Sequence, residues 1–126
     1  MNINQKILSS LTEIIDGNIW ALSKPPEEDP DTYIVFNPEF DEAADYGDDG
    51  DLEWNQYMQV HWFSRGRVDY LSARKKIRKA LREAGLNVTE ITVTYDQDSG
   101  KNANTGWTHM TFSCSDEEED PYGSES

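Results

Sequence analysis

Apolar residues recur at Ile3, Ile7, Leu8, Leu11, Ile14 and Ile15, the one-sided spacing of an amphipathic helix. Asn2 or Asn4 can cap its start, and Asp16-Gly17-Asn18 supplies a stop, so the first helix is expected over about Asn4 to Ile15. Ile19 to Leu22 reads as a short extended piece. The Pro25-Pro26 and Pro30 stretch after it can continue neither helix nor ladder. Tyr33-Ile34-Val35-Phe36 is β-branched and aromatic, a strand that Pro38 is expected to end. From Trp54 to Ser64 the chain alternates. Trp54, Met58, Val60 and Trp62 share one face, and Asn55, Tyr57, Gln59 and His61 the other, as in a half-buried strand.

Arg65-Gly66-Arg67 turns the chain into the clearest element of all. Tyr70, Ala73, Ile77, Ala80, Leu81 and Ala84 form one helical stripe, and Gly85 stops it, giving a helix from about Asp69 to Ala84. Ile91, Val93 and Tyr95 alternate with threonines in a further strand. After a polar loop, Thr108, Met110 and Phe112 alternate with Trp107, His109 and Thr111 in another. From Ser115 the chain is rich in acids and poor in anything to bury. The expected architecture is one α+β domain over 1–114 with a disordered acidic tail over 115–126. Its sheet is four-stranded and mainly antiparallel, with both helices on one face. The other face then carries Tyr57, His61, Phe63, Trp107 and His109, a candidate subunit contact or simply a set of exposed aromatics.

Composition narrows the function. The chain has 126 residues, about one domain, and a formal net charge of -14. Such a surface repels nucleic-acid phosphates and anionic membranes. No stretch approaches the roughly 18 apolar residues of a membrane span. Met1 to Leu11 has one lysine and no long apolar run, so no secretory leader is expected. The single Cys114 excludes an internal disulfide.

The charges are segregated. Arg65, Arg67, Arg74, Lys75, Lys76, Arg78, Lys79 and Arg82 are eight of the eleven basic residues, and only Asp69 of the 25 acids lies among them. Three readings compete for this band: a solvated helix face, a nucleic-acid contact, or charge pairing between copies of the chain. The acidic partner in the third reading is the loop carrying Asp45, Asp48, Asp49 and Asp51. Candidate interface residues are therefore Arg65, Arg67, Arg74, Lys75, Arg78, Lys79 and Arg82, these four aspartates, and Tyr57 and Trp107 on the sheet.

No catalytic or cofactor constellation stands out. In calcium-loop register, with Gly50 at the glycine position, Gly47 and Gln56 fall where ligands are needed. His61 and His109, on different strands, need a further ligand to hold a metal. Gly100-Lys101 lacks the preceding glycine of a phosphate loop. Cys114 reads as a half-buried thiol. No catalytic residue, metal or cofactor is expected.

The order of elements resembles the tail-terminator and tail-to-head joining proteins of long-tailed bacteriophages. It comprises an N-terminal amphipathic helix, the Tyr33–Phe36 strand, an acidic loop, the long Trp54–Ser64 strand, the helix ending Ala84-Gly85-Leu86, and a last strand with Thr108-His109-Met110-Thr111-Phe112. The resemblance implies a structural virion protein at the head-proximal end of the tail, assembled in the host cytoplasm. It implies a ring, usually a hexamer, that caps the tail tube and meets the head connector. DNA would pass through the ring without specific binding, which an acidic lumen favours. Two alternatives stay open: another head-completion or minor capsid protein, and an acidic mimic of DNA.

Overall fold

The computed structural model describes residues 1–43, 53–96 and 106–119. The elements are α1 (Ile3–Leu11), β1 (Ile19–Ala21), β2 (Thr32–Ala43), β3 (Glu53–Arg65), α2 (Leu71–Glu83), β4 (Asn87–Asp96) and β5 (Trp107–Glu119). The strands form one sheet in the order β1-β2-β3-β5-β4. All neighbours are antiparallel except β1 and β2, which are parallel.

The sheet is mainly antiparallel, as expected, but it has five strands and not four, and the added pair is parallel. The extra strand is Ile19–Ala21, three residues long. A piece that short shows no period, and only its pairing of Ile19 with Ile34 and Ala21 with Phe36 makes it a strand. β2 also runs past Pro38, which was expected to end it. A bulge between Pro38 and Phe40 absorbs the irregularity. β1 pairs with β2 only as far as Phe36. Pro38 therefore sits where β2 is already a sheet edge and its missing N–H breaks no ladder.

α1 begins with a reciprocal cap: the Gln5 amide donates to Asn2 Oδ1 and the Asn2 amide to Gln5 Oε1, both at 2.9 Å. It ends at Leu11, short of the expected Ile15. Ser9 and Ser10 donate their hydroxyls to the carbonyls of Lys6 and Ile7, a local bonding that competes with helix propagation. The chain then closes in turns, with Asp16 and Gly17 both at positive φ and the Gly17 amide bonded to the Thr12 carbonyl. Ile15 still reaches the core.

Both helices lie on one face of the sheet, as expected. Ile3, Ile7 and Leu11 of α1 and Ile77 and Leu81 of α2 pack with Ile34, Phe36, Met58, Val60, Trp62, Met110 and Phe112. The alternation in β3 and β5 assigns these faces directly. Between β3 and α2, Gly66 adopts φ 81 and its amide bonds to the Gly106 carbonyl. The Thr108 hydroxyl donates to the Gly66 carbonyl, which ties the turn to the adjoining strand.

A further correction concerns the acidic tail. β5 continues through Glu119, and its pairing with β3 runs without interruption from Arg65↔Trp107 to Glu53↔Glu119. Ser115 to Glu119, expected as the start of the disordered tail, are thus strand, and residues 120–126 of that tail lie outside the described residues. Asp116 points to the helix side and is buried, 2.6 Å from the ammonium of Lys6 on α1. That ion pair makes an acid tolerable on the covered face, where an unpaired carboxylate would be costly. Beside it, burial pushes the Cys114 thiol up to about 12, and the charge of Asp116 adds to the effect. The thiol is therefore protonated at neutral pH.

Two outcomes follow for stability. Truncation after Cys114 should lower the midpoint of urea unfolding well below that of a chain truncated after Glu119, because it removes β5 pairing and leaves Lys6 unpartnered. Ile77→Asp should unfold the domain. It places an unpaired charge at a fully buried position against a total stability of about 5–15 kcal/mol. Far-UV circular dichroism would show the loss.

Candidate interaction surfaces

The face of the sheet away from the helices is built by the odd-numbered positions of β3 and β5. In β3 these are Tyr57, Gln59, His61, Phe63 and Arg65; in β5, Trp107, His109, Thr111 and Ser113. Register brings Tyr33 of β2 opposite Phe63. Trp20 of β1 joins this side through its pairing with Val35.

The result is an aromatic row across four strands. Trp20 meets Tyr33 edge-on with ring centres 6.3 Å apart. Tyr33 stacks on Phe63 at 4.9 Å, and Phe63 stacks on His109 at 4.3 Å. Trp107 stands edge-on to Tyr33 at 5.5 Å. A second stack, Phe40 on Tyr57 at 4.4 Å, lies further along β2 and β3. Offset and edge contacts of this kind hold the rings in place beyond what area alone supplies. Burial raises the pKa of Tyr33, partly offset by the charge of Arg65.

Tyr57 and Trp107 are thus both on the open face, as expected for candidate contacts. Trp20, Tyr33 and Phe40 were not singled out from sequence. Their signal was available only through register, since Tyr33 shares the side of Phe63 once β2 and β3 are paired.

The two histidines come together in this row. His61 Nδ1 and His109 Nε2 are 2.9 Å apart, and Thr111 Oγ1 lies 3.3 Å and 3.2 Å from them. His61 Nε2 is 3.2 Å from Gln59 Oε1, and His109 Nδ1 is 3.4 Å from Asp96 Oδ2. With both rings neutral, His109 Nδ1–H can donate to Asp96 and His61 Nδ1–H to His109 Nε2. Among the described residues no group of three or more His, Cys, Asp and Glu side chains is placed to hold a metal ion.

The basic band separates into two parts. Arg65 is engaged within the chain, with Nε 2.9 Å from Asp31, Nη2 3.0 Å from Asp29 and its guanidinium 4.5 Å over the Trp107 ring. Arg67 lies 4.2 Å over Tyr95. Both were candidate interface residues, and the fold uses both on its own rings. On α2, Arg74 lies near Tyr70. Lys75, Arg78, Lys79 and Arg82 line a shallow groove with Glu83. Asp45, Asp48, Asp49 and Asp51 lie outside the described residues.

Burial holds the His61 pKa below the usual histidine value, and His109 lowers it further. Below about pH 6.5 the unfolded chain takes up a proton at this position that the folded chain resists. Folded stability should therefore fall as pH drops through that region, until pH passes the lowered value. His61→Gln should flatten this slope in thermal melts between about pH 7.5 and 5. An unchanged slope would show that His61 does not set it.

Comparison with curated proteins finds no match. Comparison with family models does, over residues 7–115, from α1 into β5. The matched family is described as tail completion protein gp17, and the chain belongs to it.

Proposed function

We propose that this chain is a structural virion protein that forms a ring on the end of the phage tail tube and joins it to the head connector. Membership of a tail completion family ties the chain to assembly of the bacteriophage tail. The ring, its seat on the tube and its partner at the head are the finer reading. The observation that carries it is the aromatic row on the open sheet face. These rings steady the sheet through their cross-strand contacts, and the half-exposed area they leave on the open face is what a subunit contact would use.

In this reading the chain works by contact and not by catalysis. The charge of -14 suits a channel through which DNA slides without sticking. No helix among the described residues is long and apolar enough to cross a membrane.

The test is assembly. Mass photometry of the chain with polymerised tail-tube protein should show a defined multiple of the chain mass at tube ends. Electron microscopy of the same sample should show tubes of fixed length closed by a ring. A chain that stays monomeric both alone and with the tube protein would sink the ring.

A further inference from the structure

We propose that the basic side of α2 in one copy receives the acidic end of the sheet of a second copy. The inference rests on the self-assembling reading above and names the contact.

α2 presents Arg74, Arg78 and Arg82 at successive helical turns, with Lys75 and Lys79 beside them. Ile77 and Leu81 are buried against the sheet, so this stripe winds away from it into solvent. Like charges one turn apart repel along a helix. Among the described residues no carboxylate lies within ion-pair distance of any α2 cation; the ion pairs are those of Lys6, Arg65 and His109. Only Glu83 shares the groove formed by Lys75, Arg78, Lys79 and Arg82. Among the described residues Lys6 and Arg65 meet carboxylates, whereas the cations of this stripe meet none.

The complementary surface is on the same chain. Past the bulge, β2 carries Glu39, Asp41 and Glu42. β3 begins at Glu53, and β5 ends on Asp116, Glu117, Glu118 and Glu119. Register brings the three segments together. Asp41 pairs with Gln56, which pairs with Asp116; Glu42 pairs with Asn55, which pairs with Glu117; Glu53 pairs with Glu119. The backbone positions of eight acids thus share one end of three adjacent strands, and of these Asp116 meets Lys6.

The acids sit at a strand end and the bases on the outer side of a helix, and the chain does not join them to each other. A second copy can. The contact uses different patches on the two partners, so it repeats head to tail and closes when the rotation permits. A surface of charge -14 otherwise keeps copies apart, and this pairing gives them one favoured approach. Duplex DNA is the rival occupant of a basic stripe, but the acidic remainder of the molecule repels it.

Two full-length variants test the contact. One carries Arg78→Glu, Lys79→Glu and Arg82→Glu; the other carries Glu39→Lys, Asp41→Lys and Glu42→Lys. All six positions are exposed, and circular dichroism with a thermal melt checks that each variant folds. Gln in place of Glu or Lys at the same positions provides a milder pair. Assembly with tail-tube protein is followed by mass photometry at low salt.

Each variant alone should lose assembly by at least about tenfold, and the Gln pair by less. An equimolar mixture of the two reversed variants should recover it, because each then offers the patch the other lacks. Wild-type assembly alongside unimpaired variants, or a mixture that fails to recover, overturns this contact and leaves the ring standing. A wild-type chain that never assembles overturns both. Retained assembly with loss of duplex DNA binding in the α2 variant would assign the stripe to DNA instead.

Discussion

The antiparallel pairing of β3 with β5 governs the rest of the structure. Thirteen successive residue pairs join them, from Glu53↔Glu119 to Arg65↔Trp107, at the centre of the sheet. Side chains alternate across a strand, so a shift of one residue would exchange the two faces. Register therefore decides that Met58, Val60, Trp62, Met110 and Phe112 meet the helices. The same register decides that Phe63, Trp107 and His109 face away, and that acids from separate stretches of sequence share one end. The buried side fixes the register, because only one setting places its apolar set under α1 and α2. The open side inherits its order from that choice.

What could be read in advance followed the strength of local periodicity. Helix α2 and the core faces of β3 and β5 were legible, because their alternation of apolar and polar positions is uninterrupted. The three-residue β1 had too few residues to show a period. Pro38 was read as a stop because its effect depends on whether a neighbouring strand needs its N–H, which is a property of the sheet. The acidic end of β5 looked unstructured for a similar reason. Ser115 to Glu119 have little to bury, and they are strand because β3 is there to pair with them and Lys6 is there to meet Asp116.

The site was legible only in outline. Segregated charge was visible along the chain, yet the sequence gives no hint that Arg65 and Arg67 are held against Trp107 and Tyr95 while the α2 cations are not. The closeness of His61 and His109 likewise depends on cross-strand pairing. Membership of the tail completion family places these surfaces on a phage tail protein. One side of the sheet carries aromatic area, and α2 carries charge that meets no carboxylate among the described residues.

The continuation of β5 changes what its acids cost to use. A free acidic tail must give up about 1–2 kcal/mol of backbone freedom for each residue it orders against a partner. Asp116 is taken up by Lys6, and the backbone of Glu117 to Glu119 lies along a strand already paired on one side with β3. Their backbone entropy was surrendered when the sheet formed, so the spacing of about 3.4 Å per residue is set before any encounter. Folding has thus set the backbone of what reads as a disordered acidic tail, as far as Glu119, before any partner arrives.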